Sequence, residues 1–205
     1  MTFFEFREQF FDLGCFNLQQ IYAWDPYFDR NNLLRWTKQG RLIKLRREYF
    51  AFSEYLKYPD FALYIANRIY RPSYISLHTA LAFYGVIPES VVQITSVSTL
   101  KTSFFENVFG EYSYKNIKEE LMFGYEPRKM IDERVFLLAT PEKALLDLLY
   151  LYPFYDSFDE LVGLRLDEDF MLDDFNYDRM YHYLDRFGSI ALNRRVSKLI
   201  HIYGL

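Results

Sequence analysis

Hydrophobic residues set the first element of the chain. Phe3, Phe6, Phe10 and Leu13 recur at helical spacing, and Gly14 offers a stop. Asn17 can cap a second helix, NLQQIYAW, which Pro26 ends. Asp29 can cap a third, RNNLLRWTKQ, which Gly40 ends. LIKLR follows as a strand with Leu42 and Leu45 near one apolar layer. Arg47 and Glu48 form a tight connection into a second β-rich run, YFAFS. Beyond residue 57 the pattern changes. FALYIANRIY is helical up to Arg71 and Pro72. SLHTALAFYG is helical too, with Ser76 as its N-cap and Gly85 at its end. VVQITSVS, FFENVF, EYSYKNI, LMFGYE and RVFLLA read as strands. Thr140 and Pro141 then open the helix KALLDLLYLY. After Pro153 the chain reads as helices joined by acidic loops.

Three helices and a hairpin are the plan of a winged helix-turn-helix. The expected fold is therefore α+β. Residues 1–57 form the winged helix, and residues 58–205 form a mixed α/β domain with a small sheet flanked by helices.

Composition narrows the class. Of 205 residues 51% are hydrophobic, so a packed core can form. The net charge of −4 conceals two blocks. Residues 28–47 hold seven bases and one acid; residues 154–185 hold ten acids and two bases. One cysteine, Cys15, excludes an intrachain disulfide, and three histidines leave little material for a metal centre. No metal site or cofactor is expected. With no signal peptide and no uninterrupted apolar run of spanning length, the chain is expected in the cytoplasm, away from membranes.

The third helix carries the most information. Leu33, Trp36 and Thr37 share a face with Gly40, suited to packing. Arg30, Asn31, Arg35 and Lys38 spread over another, suited to the major groove, because Arg can bond guanine and Asn adenine. Arg41, Lys44, Arg46 and Arg47 continue the positive surface into the hairpin, where a wing would meet backbone phosphates. Solvation alone would also explain a basic helix face. Tyr49 and Phe50 suit the hairpin core. Elsewhere the residues read as structure. His78 has no acid–base partner evident from spacing. Lys143 and Asp147 can pair at i,i+4 spacing, worth only a few tenths of a kcal/mol. Ser157, Asp159 and His182 lack a nucleophile elbow. Cys15 suits a small buried apolar position. No catalytic constellation is present, and the protein is read as a non-enzyme.

The stretches GRLIKLRREYFAF at 40–52, RIYRPSYISLHTALAFYGVIPE at 68–89 and ATPEKALLDLLY at 139–150 resemble the AbiEi-like antitoxins of type IV toxin–antitoxin systems. The resemblance spans about residues 1–155. Members commonly have glycine before the tyrosine of the wing, where this chain has Glu48. The resemblance implies an antitoxin whose winged helix binds double-stranded DNA at promoter inverted repeats and represses its own operon. It implies a C-terminal domain that counteracts a nucleotidyltransferase-like toxin, with or without direct contact. Two alternatives stand beside it: a ligand-responsive winged-helix regulator without a toxin, and a protein-interaction module. The acidic stretch at 154–185 fits a solvated face better than a docking site for a basic partner.

Overall fold

The computed structural model describes residues 1–88, 92–130 and 132–204. Val91 of the expected strand VVQITSVS, and Glu89 at the end of the second resembling stretch, lie outside the described residues. The architecture is α+β, with a three-stranded sheet and a mixed six-stranded sheet.

Local chemistry sets the first elements. Thr2 and Glu5 exchange side-chain and backbone hydrogen bonds at the start of α1 (Phe3–Phe10), a capping box that satisfies two otherwise orphaned N–H groups. A 3-10 turn follows and closes on Gly14 at φ +67°. A Cβ there would lie 2.8 Å from Arg134 Nε and 3.1 Å from the rings of Phe61 and Tyr64. Glycine is thus needed both for its backbone and for the close approach. Cys15–Asn17 forms β1, a strand absent from the sequence reading. Asn17 and Gln20 cap α2 (Leu18–Trp24) reciprocally. Asp29 acts one residue outside α3 (Asn31–Lys38): its Oδ1 accepts from Asn31 N–H at 2.9 Å, and Arg30 holds the N-cap position. β2 (Leu42–Arg46) and β3 (Tyr49–Phe52) complete the small sheet in the order β1-β3-β2.

One irregularity in that hairpin has large effects. Lys44 pairs with Phe50 and Arg46 with Tyr49, so Leu45 is an extra residue, a β-bulge. Strict alternation would set Leu42 and Leu45 on opposite faces; with the bulge both are buried. The same bulge separates Arg46 from the exposed face of Lys44.

The larger sheet runs β6-β7-β5-β4-β9-β8. Its strands are β4 (Ser73–Ile75), β5 (Gln93–Ser98), β6 (Ser103–Asn107), β7 (Gly110–Asn116), β8 (Tyr125–Lys129) and β9 (Val135–Ala139). β4 pairs parallel to β9 and antiparallel to β5, and β5 pairs parallel to β7. The expected strand LMFGYE is displaced: Glu119–Leu121 is a 3-10 turn, and β8 starts at Tyr125. Pro127 is accommodated because β8 is an edge strand.

α4 (Phe61–Ile69), α5 (Leu77–Tyr84) and α6 (Pro141–Leu151) pack with this sheet. Thr140 caps α6 as its sequence suggests. Ser76 occupies the N-cap position of α5, but its hydroxyl donates instead to Asp147 Oδ2 at 2.8 Å. The Thr95 hydroxyl of β5 takes over and accepts from Thr79 N–H at 3.2 Å. Four further helices follow: α7 (Phe158–Val162), α8 (Glu168–Asp173), α9 (Tyr177–Phe187) and α10 (Ile190–Tyr203).

One hydrophobic cluster runs through the molecule and crosses residues 57 and 58 without a break. Tyr55 and Phe61 stack across that point with ring centroids 4.3 Å apart. Tyr64 donates its hydroxyl proton to the Leu13 carbonyl at 2.8 Å.

Candidate functional site

α3 buries Leu33 and Trp36 against the aromatic rings of α1. Phe3 meets Trp36 edge-on at 5.3 Å, and Phe6 lies 4.8 Å from it. This packing leaves Asn31, Leu34, Arg35 and Lys38 exposed, with Arg30 at the helix start. The side chains of Arg30, Asn31, Lys38 and Lys44 make no hydrogen bond or ion pair with the described residues. Arg35 is oriented by Asn32 Oδ1, which accepts from its Nη2 at 2.7 Å. Arg41 lies over the Phe3 ring at 4.8 Å and stays exposed. Arg47 projects at the hairpin tip, 4.0 Å from Glu48. Seven of the eight bases and amides chosen from sequence thus reach solvent along α3 and the hairpin.

Arg46 is the exception. Past the bulge its guanidinium turns toward the larger sheet, where Nη1 donates to the Ile69 carbonyl at 2.5 Å. It also lies 4.6 Å over the Phe105 ring and 5.6 Å from that of Tyr70. Arg46 is thus half-buried and held by groups of the protein, unlike the other seven. Leu34 lies outside the set of residues expected from the sequence to face DNA. It is 62% exposed in the middle of the outward face of α3. The available signal was its i,i+3 and i,i+4 spacing to Asn31 and Lys38.

Glu48 occupies the hairpin turn at φ +67°, a region that favours glycine. Its carbonyl accepts from Leu18 N–H at 3.1 Å, which ties the turn to the start of α2.

The second polar constellation lies in the core. Lys143 and Asp147 form an ion pair with both side chains at 0% exposure. The i,i+4 pair forms as its spacing suggests, but in the core, where the few tenths of a kcal/mol of an ordinary helix pair does not apply. Lys143 Nζ also donates to the Tyr74 hydroxyl at 2.9 Å, and Tyr74 donates to Asp147 Oδ2 at 2.9 Å. The Phe123 and Phe187 rings flank the ammonium at 5.0 and 4.8 Å. Burial lowers the Lys143 pKa, opposed by Asp147; burial also raises that of Tyr74 well above the ordinary phenol value. Glu142 is buried alongside and accepts from Asn176 N–H at 3.1 Å, which anchors the start of α9. Every carboxylate oxygen of Asp147 is used in holding β4, α5 and α6 together, which suits a structural role.

The remaining candidates resolve locally. Ser157 spends its hydroxyl on Glu160 at the start of α7, and His182 is exposed on α9. His78 Nε2 lies 3.2 Å from the Tyr155 hydroxyl. Cys15 is buried, and burial pushes its thiol up from 9.0 to about 12. Among residues 154–185 the acids are exposed except the half-buried Asp156, which pairs with Arg194 and Lys198 of α10. Among the described residues no helix is long and apolar enough to cross a membrane.

No family model matches the chain, and no curated protein matches it.

Proposed function

We propose that this protein is a cytoplasmic, non-enzymatic DNA-binding antitoxin. It represses its own operon through an N-terminal winged helix and counteracts a nucleotidyltransferase-like toxin. The observation that carries the DNA reading is the outward face of α3. Arg30, Asn31, Leu34, Arg35 and Lys38 are exposed there, as are Arg41, Lys44 and Arg47 of the segment that follows. The β1-β3-β2 order, with α2 and α3 preceding the hairpin, supports α3 as the recognition helix and β2-β3 as the wing. Arg35, already oriented by Asn32, suits a guanine edge, Asn31 an adenine, and Leu34 a thymine methyl group. Lys44 and Arg47 suit phosphates. The antitoxin half of the proposal rests on the resemblance of residues 1–155.

The test uses the full chain and the DNA upstream of its own gene, read by fluorescence anisotropy. Arg35→Ala should cost about 1–3 kcal/mol on the operator and relax preference at one position. Lys44→Ala should weaken all sequences alike and lower the magnitude of the salt slope by about 0.9. Equal effects of both changes on operator and random DNA would remove the recognition-helix assignment. Co-expression with the neighbouring gene product tests the other half. Failure of the full chain to protect cells would refute the antitoxin reading.

A further inference from the structure

A cleft of about 320 Å³ opens where α4 ends and β4, β8 and β9 meet. A second cavity of about 230 Å³ opens toward β1, the start of α2 and β3. The two share Arg68 and Arg71 as a common wall. We propose that this cleft binds a small phosphate monoester, with the phosphate between Arg68 and Arg71 and its organic body against the apolar wall.

Neither arginine has an ion-pair partner among the described residues. Arg68 only lies over the Tyr64 ring at 4.8 Å, and Arg71 is exposed. A cation in the last turn of α4 suits the helix dipole, which accounts for Arg68 alone. It does not account for a second guanidinium three residues on. It does not account for Ser73 either, a residue of the same cleft's lining, which is 4% exposed and whose buried hydroxyl has no hydrogen-bond partner among the described residues. A buried hydroxyl of this kind is costly unless a ligand or water completes it. Two unpaired guanidiniums and a free hydroxyl donor form a recognition set for phosphate oxygens. The floor is rigid: Asn67 Oδ1 accepts from Leu137 N–H at 2.6 Å, and its Nδ2 donates to the Ser73 carbonyl at 3.4 Å. Tyr125 and Leu137 supply the apolar wall, and Tyr125 is held by stacking on Tyr74 at 4.6 Å. The volume lies at the small end of ordinary ligand sites.

This site is separate from the outward face of α3 and does not depend on the DNA reading. The same chemistry could serve a phosphate of the DNA backbone, so the test separates the two. Isothermal titration of the full chain without DNA uses phenyl phosphate, adenosine monophosphate and inorganic phosphate as probes. Saturable 1:1 binding of at least one ester, at least tenfold tighter than inorganic phosphate, is expected. Arg71→Ala should weaken it tenfold or more. Arg68→Lys and Ser73→Ala should each weaken it by a smaller factor, with unchanged thermal unfolding of the Arg71→Ala chain confirming that it is folded. Absence of binding by either ester at millimolar concentration would overturn the proposal. So would binding unchanged in Arg71→Ala, or inorganic phosphate binding as tightly as the esters. If Arg71→Ala weakens DNA binding while neither ester binds, the arginines serve the nucleic-acid backbone and the small-molecule site is refuted.

Discussion

Replacing Lys143 by methionine removes one charge of a pair that water does not reach. Both side chains are fully buried, and Asp147 then keeps only the hydroxyls of Tyr74 and Ser76 as donors. Breaking a buried pair from one side typically costs about 3–5 kcal/mol, because an uncompensated charge stays in the interior. Asp147→Leu should cost a similar amount by stranding the ammonium. The double variant, Lys143→Met with Asp147→Leu, buries no charge at these two positions. Its cost comes from leaving the Tyr74 and Ser76 hydroxyls without an acceptor, at roughly 1–2 kcal/mol each. The double change should therefore cost about 2–4 kcal/mol, well below the sum of the single changes. Urea unfolding of the full chain, followed by tryptophan fluorescence and by circular dichroism, measures all three. Additivity within about 0.5 kcal/mol would refute the argument, since two groups that do not share an environment behave that way.

Glu48→Gly should raise stability by about 0.5–1 kcal/mol in urea, because glycine adopts the φ of +67° without the steric cost of a Cβ. It also removes an acid beside Arg47, so DNA binding should tighten at low salt; a destabilised variant would contradict the turn geometry. Gly14→Ala should lose at least about 1–2 kcal/mol, from the left-handed backbone and the displaced Arg134, as read by the same unfolding curves. Cys15 keeps its proton in the folded chain to about pH 12, while the unfolded thiol loses it near pH 9.0. The unfolded state then binds fewer protons, so stability from this group is complete below pH 9 and falls as pH rises, at about 1.4 kcal/mol per unit. The stability advantage of wild type over Cys15→Ala should shrink by about that amount between pH 8 and 10; a constant difference would show that the thiol is not shielded. The comparison with Cys15→Ala cancels the opposing contribution of Lys143, whose pKa is lowered.

The sequence displayed its helices because their caps and periodicities are local. Thr140 with Pro141, Asn17 with Gln20, and Gly85 all act where they stand. The three-residue strands β1 and β4 were not visible, because alternation needs more positions than they have. Ser76 looks like a cap and sits at the cap position, yet its hydroxyl donates to a carboxylate 71 residues away. Lys143 and Asp147 carry the spacing of a surface pair. What distinguishes them is the composition of α6, where Ala144, Leu145, Leu146, Leu148 and Leu149 are all buried and no polar face remains. On α3 and the hairpin the charge block was legible in the sequence, and the structure leaves most of its bases exposed. The way Arg46 faces was not legible, because a single bulge decides it, and nothing short of strand pairing reveals the bulge.

That bulge also explains why the N-terminal unit is held so firmly to the rest of the chain. Leu45, the extra residue, offers its carbonyl to Asn107 Nδ2 at 3.2 Å, and Arg46 reaches the Ile69 carbonyl. On the other side of the small sheet's start, Gly14 lets Arg134 approach, and Arg134 hydrogen-bonds the Tyr55 hydroxyl. The hairpin is thus fixed from behind by groups on α4, β6 and the segment before β9. Its forward residues, Arg41, Lys44 and Arg47, stay exposed, with Arg47 4.0 Å from Glu48. A hinge between the two parts would break apolar contacts and strand polar groups on both sides, at a cost of about 1–3 kcal/mol for each hydroxyl or carbonyl left unpaired. The cavity walled by Arg68 and Arg71 is also lined by Cys15, Asn17, Gln20 and Tyr49, so those two arginines stand directly against β1, α2 and β3, the supports of the hairpin.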